Sequence, residues 1–461
     1  MIKDPTQIAI QTETIRRATP LWKGMVEAYS TVLYHAGASS NAKVAVVGKS
    51  GWVFLGDAYD MSFSQSIRRR VLTDEQVTRW TETLRFQVDW LARRGIRLFY
   101  IVAPSLSSIY PEYLPDWTRA LLDQPTSFDK ILAAGHDLPI IDLRSTLVSG
   151  RNTADTYSKL NTHWNEFGAW GAWQHIAPQL AAALPGLQPF GVGDLNWIER
   201  FSVCENEYKY LIGIMGCDTQ SRPHLKQQWP EFQITSGPGA RPTKYAGDTI
   251  IYDSASRETL NSTVSNRLKL LFLRDSMGMA IAPYFHASFY ETVQLHYGLV
   301  NNSLPTLIER HKPDVLLYVV TERLIDHIGD HYFWSSLNEF DAAPRGGDLT
   351  WKASGKEGLE VDGDKGLARP LVISWGTEPR SAKAGAFRII INAQGFGVMR
   401  LDYRLNGQTE RREQAFVPGA NELYFYVPSG IDGARVTTVA DGPVASAVML
   451  ESITLRLLLR M

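Results

Sequence analysis

The chain predicts an α/β unit with a mostly parallel sheet, followed by an all-β sandwich. Three observations carry this. Short apolar runs at Leu98 to Val102, Leu268 to Leu273 and Val315 to Val320 alternate with stretches of helical periodicity, the pattern of a sheet covered on both faces. Composition shifts near 340, where Asp341-Ala342-Ala343-Pro344-Arg345-Gly346-Gly347-Asp348 reads as a linker. Beyond it come alternating runs separated by turn residues, with no helical period. The expected division is 1–340, a linker over 341–350, and a sandwich over 351–461.

The elements follow in order. Residues 5 to 40 carry apolar positions at helical spacing, from Ile8 to Leu33. Val44 to Val47 and Trp52 to Leu55 read as two short strands about a Gly48-Lys49-Ser50-Gly51 turn. Thr73 with Gln76 forms a capping box for a helix that ends at Gly95. That helix places Val77, Trp80, Leu84, Val88 and Leu91 on one face. Strand Leu98 to Val102 ends at Pro104, where ligands collect in open α/β sheets. A helix near 127 to 134 leads to a strand at Leu138 to Leu143, and a longer helix spans about 166 to 184. The stretch from 186 to 265 is polar and rich in Pro and Gly, so it reads as a lobe or insertion over the sheet. Strands at Phe289 to Leu295 and Val315 to Val320 close the unit. The sandwich strands are read at Leu371 to Ser374, Ala386 to Ile391, Val398 to Tyr403, Glu422 to Val427 and Val448 to Leu459.

Composition narrows the function. With 47 basic and 48 acidic residues the net charge is -1, so no field draws nucleic acid or an anionic membrane. No segment reaches the ~20 apolar residues of a membrane span. The chain reads as soluble: either cytoplasmic, or exported by a signal outside this sequence. Cys204 and Cys217 are the only cysteines. One short disulfide and two buried thiols remain equally open. No metal or cofactor is expected.

Two stretches carry chemistry. Leu271-Phe272-Leu273-Arg274-Asp275-Ser276-Met277-Gly278 reads as a buried strand ending in a turn that presents Ser276. Backbone N–H groups at such a turn can stabilise an oxyanion. Tyr157-Ser158-Lys159-Leu160-Asn161-Thr162-His163-Trp164-Asn165 offers His163, with Asn161 two residues before it. A serine hydroxyl is a weak nucleophile until a base takes its proton, so the two together suit acyl transfer. Read singly, Ser276 is an ordinary helix cap and His163 a packing residue.

The motifs also resemble a known family, the alginate O-acetyltransferases of the AlgX/AlgJ group, which are SGNH hydrolase-like. Asn161-Thr162-His163-Trp164-Asn165 is similar to their Asp-x-His-Trp motif, and Arg274-Asp275-Ser276-Met277-Gly278 to their nucleophile block. Gly48 to Leu55, Pro104 to Pro111 and Pro313 to Arg323 resemble three further family segments, all in order. The resemblance implies an SGNH hydrolase-like domain with Ser276 as nucleophile, His163 as base and Asn161 at the position of the orienting acid. Asp275, Arg274, Arg323 and Tyr110 are supporting site residues, Asp275 and Arg323 mainly as structural braces. The C-terminal sandwich resembles a carbohydrate-binding module. Trp375 and Tyr403 are its candidate sugar-stacking aromatics, with core packing the better expectation for both.

The implied activity is O-acetyl transfer to hydroxyls of an exported polysaccharide through an acetyl-serine intermediate. The implied partners are that polysaccharide and an acetyl donor, a membrane acetyltransferase being one source, in a membrane-associated complex in the periplasm. The competing readings are a polysaccharide acetylesterase and an inactive glycan-binding scaffold. Three residues depart from the family pattern: Asn161 replaces an acid, Leu106 a lysine and Leu324 a tyrosine. Another acid, such as Asp155, is a candidate substitute.

Overall fold

The computed structural model describes residues 20–235, 241–245, 248, 257–299 and 304–325, and in the C-terminal region 349–352, 355–357, 360–362, 371–374, 382–393, 397–405, 408–416, 419–427, 433–440 and 448–459. Of the linker expected over 341–350, residues 341–348 lie outside the described residues, as do Trp375 and the start of the first expected helix, and Leu349 and Thr350 belong to a strand.

In chain order, helix α1 (Pro20–His35) precedes the antiparallel pair β1 (Ala45–Val47) and β2 (Val53–Leu55). Helix α2 (Asp74–Ala92) begins at the capping box of Thr73 and Gln76, as expected. It is followed by β3 (Arg97–Ala103), α3 (Ser127–Ala134), β4 (Ile140–Asp142) and α4 (Glu166–Ala183). The polar stretch then forms a hairpin, β5 (Leu195–Val203) and β6 (Asp218–Leu225), with α5 (Glu207–Ile212) in its loop. Next come β7 (Phe232–Thr235), β8 (Thr243–Tyr245), β9 (Arg257–Leu260), β10 (Lys269–Arg274), α6 (Ala282–Ser288), β11 (Glu291–His296), α7 (Leu304–His311) and β12 (Val315–Thr321).

The main sheet runs β4-β3-β12-β10-β11-β9-β7-β8. Strands β4, β3, β12, β10 and β11 are parallel, and β9, β7 and β8 add on antiparallel. The stretch from 186 to 265 is therefore only partly a separate lobe. Three of its strands extend the sheet and cover the edge that β11 would otherwise leave unpaired.

Strand alternation sorts the apolar runs onto two faces. Ile101, Ala103, Leu270, Phe272, Leu317 and Val319 pack with Trp173, Ile176 and Leu180 of α4. Leu98, Tyr100, Leu271, Leu273, Leu316 and Tyr318 pack with Trp80, Leu84 and Leu91 of α2. Continuous apolar strands are thus buried on both sides, between helical layers. Among the described residues no helix is long and apolar enough to cross a membrane.

The C-terminal unit has two five-stranded antiparallel sheets. One contains β13 (Leu349–Lys352), β14 (Gly355–Glu357), β17 (Ala382–Ala393), β20 (Gly419–Val427) and β22 (Val448–Leu459), the other β15 (Glu360–Asp362), β16 (Leu371–Ser374), β18 (Gly397–Leu405), β19 (Gln408–Phe416) and β21 (Gly433–Ala440). Phe387, Ile389 and Ile391 alternate inward on β17, and Met399, Leu401 and Tyr403 on β18. Tyr403 is therefore buried, the packing role favoured for it over sugar stacking.

Candidate active site

Parallel pairing brings three strand ends to one edge. Arg274 pairs with Val319, and Thr321 with Ala103, so the residues after β10, β12 and β3 meet there. Ser276 opens a 3-10 turn (Ser276–Met279) after β10. Asp275 fixes that turn. Its Oδ1 accepts from the Met277 N–H (2.8 Å), and its Oδ2 accepts from the N–H and hydroxyl of Thr321 (both 2.7 Å). The Asp275 carbonyl accepts from the Gly278 N–H (3.2 Å). Two N–H groups that could have served an oxyanion are thus taken by Asp275; the Ser276 N–H is not one of them.

His163 lies near the end of a loop closed by an antiparallel bridge between Tyr157 and Trp164. The Thr156 carbonyl accepts from the Asn165 N–H (3.0 Å), and Asn165 caps α4 by accepting from the Gly168 N–H (2.9 Å). Gly168 is required by closeness: a Cβ there would lie 2.2 Å from the Thr156 carbonyl oxygen. Gly168→Ala is expected to destabilise the domain by about 1–3 kcal/mol, read as a lower midpoint of chemical denaturation. The indole N–H of Trp164 donates to the Met277 carbonyl (3.0 Å), which ties the histidine loop to the serine turn.

The result joins two residues 113 positions apart. His163 Nε2 is 2.8 Å from Ser276 Oγ, and both residues are half-buried and open to solvent. On the other side of the ring, Asn161 Oδ1 lies 3.1 Å from Nδ1 and also accepts from the His163 N–H (3.0 Å). Thr162 Oγ1 is 3.2 Å from Nδ1. Oxygens at Nδ1 favour the tautomer protonated there, which leaves the Nε2 lone pair facing the serine.

A carboxylate that sequence reasoning missed completes the group. Glu207 Oε2 lies 3.4 Å from His163 Nδ1 and accepts from the N–H and hydroxyl of Thr162 (both 2.7 Å). Burial would push the Glu207 carboxyl up, but the hydrogen bond and charge of His163 and the two Thr162 bonds hold it down to about 2. The candidate substitute, Asp155, is exposed, and its Oδ1 accepts instead from the Tyr110 hydroxyl (3.4 Å). The cap Asn206 and the flanking cysteines mark this segment in the sequence, but not which of Glu205 and Glu207 reaches the histidine.

The supporting residues are placed differently from the Ser276–His163 pair. Arg274 is buried behind the turn, with Nη1 donating to the Asp275 carbonyl (3.3 Å). Tyr110 is buried and stacks on Trp52; its hydroxyl accepts from the Thr156 N–H (3.0 Å), at the base of the histidine loop. Arg323 lies beside a water-sized cavity that Thr162 and Tyr208 also line, with Nε 3.9 Å from Asp60. Leu106 is buried and lines the same cavity. Leu324 is half-buried against the core on the α2 side of the sheet.

Residues 45–198 match the family model described as the SGNH hydrolase-like domain of acetyltransferase AlgX. This region is similar to an AlgX-type SGNH hydrolase-like domain. The match contains His163 and Asn161 and ends before Ser276. A search of curated proteins found no match. Among solved structures, AlgX of Pseudomonas aeruginosa is similar over 90% of this chain and 94% of its own, with 14% identity and a TM-score of 0.51. PatB1 of Bacillus cereus covers 61% of this chain and 97% of its own (14% identity, TM-score 0.45). The O-acetyltransferase domain of Pseudomonas putida AlgJ covers 61% and 92% (14% identity, TM-score 0.37). The likeness to AlgX extends over both units of this chain, so the order of the two folds is shared.

Proposed function

We propose that this protein transfers acetyl groups to hydroxyls of an exported polysaccharide through an acetyl-Ser276 intermediate. One observation carries the reading: the 2.8 Å approach of His163 Nε2 to Ser276 Oγ, with Asn161 orienting the ring from the far side. The match of residues 45–198 to an acetyltransferase domain supports the group transferred. Ser276 Oγ attacks the acetyl carbonyl of a donor while His163 takes its proton. The donor's leaving group departs with that proton. An acceptor hydroxyl then attacks acetyl-Ser276, gives its proton to His163, and the proton returns to Ser276 as the product ester leaves. Arg323 and Tyr110 brace the site, and Asp275 holds the turn. The periplasm and a membrane-bound acetyl donor fit this reading.

The test is to react the protein with p-nitrophenyl acetate, quench in acid, and map the acetyl group by peptide mass spectrometry. Acetyl on Ser276, transferred to an added oligosaccharide, is the expected result. Transfer to water alone would make the protein an esterase. No acetyl on Ser276 would overturn the covalent mechanism.

A further inference from the structure

We propose that Glu207 is the positioning acid of this site, supplying the charge that Asn161 lacks, and that the Cys204–Cys217 disulfide holds it in place. The proposal rests on the acyl-transfer reading of Ser276 and His163.

An amide oxygen can orient an imidazole but carries no charge to offset the imidazolium formed when His163 takes a proton. Three oxygens face His163 Nδ1: Asn161 Oδ1 at 3.1 Å, Thr162 Oγ1 at 3.2 Å and Glu207 Oε2 at 3.4 Å. Only Glu207 among them is ionisable. At 3.4 Å its carboxylate acts chiefly through charge and through Thr162, whose hydroxyl donates to it at 2.7 Å while facing Nδ1 with a lone pair. Orientation and charge are thus divided between two side chains, where the related motif uses one.

The carboxylate is held from several sides. The Glu207 N–H donates to the Leu160 carbonyl (3.2 Å), and the Thr162 N–H reaches back to the carboxylate. Asn206 caps the short helix and donates to the carbonyls of Ile214 and Gly216. Tyr208, Ile212 and Ile214 are buried with Ala45, Val53 and Leu160, so the helix is seated under the histidine loop. The β5–β6 ladder ends at Val203 and Asp218, and Cys204 and Cys217, the next residues on each strand, are bonded. Asp218 in turn accepts from the Leu160 N–H (2.6 Å). The bridge therefore closes the segment that carries Glu207 at the point where the hairpin is anchored to the histidine motif. Both cysteines are exposed to a reductant.

The experiment compares kcat/KM for p-nitrophenyl acetate across pH in wild type, Glu207→Gln, Asn161→Asp and the double variant. Glu207→Gln is expected to lose ~10²- to 10³-fold at neutral pH, below the ~10⁴ seen when charge and tautomer control are lost together. The loss should fall on kcat, with the acidic limb of the profile moved to lower pH. In the double variant, Asn161→Asp is expected to recover at least about tenfold over Glu207→Gln, since a charge returns to the ring. Reduction of the disulfide is expected to slow wild type in the same direction and to spare Asn161→Asp. A Glu207→Gln rate within about threefold of wild type, with an unshifted profile, would overturn the proposal.

A readout without turnover separates this proposal from the acyl-transfer reading. In Ser276→Ala, the Nδ1 proton of His163 is followed by NMR at one pH, with and without Glu207→Gln. Its resonance is expected to move upfield on loss of the carboxylate beside Nδ1. Coincident resonances would sink the Glu207 assignment, whereas equal ester turnover by wild type and Ser276→Ala would sink only the acyl-transfer reading.

Discussion

Ser276→Ala is expected to reduce release of acetate from p-nitrophenyl acetate by ~10⁴- to 10⁶-fold, the range seen when the nucleophile of a serine–histidine unit is removed. The reason lies in what one oxygen does. Ser276 Oγ is the atom that faces His163 Nε2 at 2.8 Å, so its loss removes both the attacking group and the proton that the base would take. The scaffold should survive the change. The bonds that shape the turn run from Asp275 to Met277, Gly278 and Thr321, and none involves the Ser276 hydroxyl. The variant should therefore match wild type in its denaturation midpoint while losing turnover. Equal rates in the two proteins would mean that any esterase activity arises elsewhere, and the scaffold reading would replace the enzymatic one.

The parts of this site that could be read in the sequence are those whose signals are local. Apolar runs such as Leu98 to Val102 and Val315 to Val320 sit on both faces of a covered sheet, so their burial is written in composition. Thr73 and Gln76 cap α2 over three residues. The serine turn and the histidine loop each carry their own short motif.

What was not legible depends on contacts between distant residues. Glu207 lies 45 residues after Thr162, in a polar hairpin whose composition resembles any surface loop. Nothing local distinguishes its carboxylate from its neighbour Glu205, which pairs with Lys209 at the surface. Asp155 was the natural candidate because it is nearer in sequence, but the bridge between Tyr157 and Trp164 folds the loop so that Asp155 faces Tyr110. Strand β19 was missed for a different reason. Gln408–Phe416 is an edge strand of mostly polar residues, with cross-strand ion pairs of Arg411 with Asp402 and Glu413 with Arg400. Burial on β19 follows period 2, but Glu410, Arg412 and Gln414 occupy its inward positions, so hydropathy does not show it.

The second large effect is expected at Asp275, whose role is to hold the serine rather than to react. Its buried carboxylate satisfies two backbone N–H groups and one hydroxyl, from both sides of the seam between β10 and β12. Removing it in Asp275→Ala leaves these donors buried without partners, a cost of about 3–5 kcal/mol by analogy with broken buried charge networks. The measurement is the midpoint of chemical denaturation followed on the hydrolase-like domain. Asp275→Asn should recover only part of the loss, because an amide has one oxygen where the site offers donors to two. One side would place an NH₂ against a backbone N–H. Turnover should fall as well, since the Met277 N–H bond sets the turn that carries Ser276, and a displacement of ~1 Å can cost on the order of 10²-fold in rate. If Asp275→Ala kept both its midpoint and its rate, the turn would be held by strand pairing alone. The 2.8 Å contact between Ser276 and His163 would then rest on the Trp164 tie to Met277 instead.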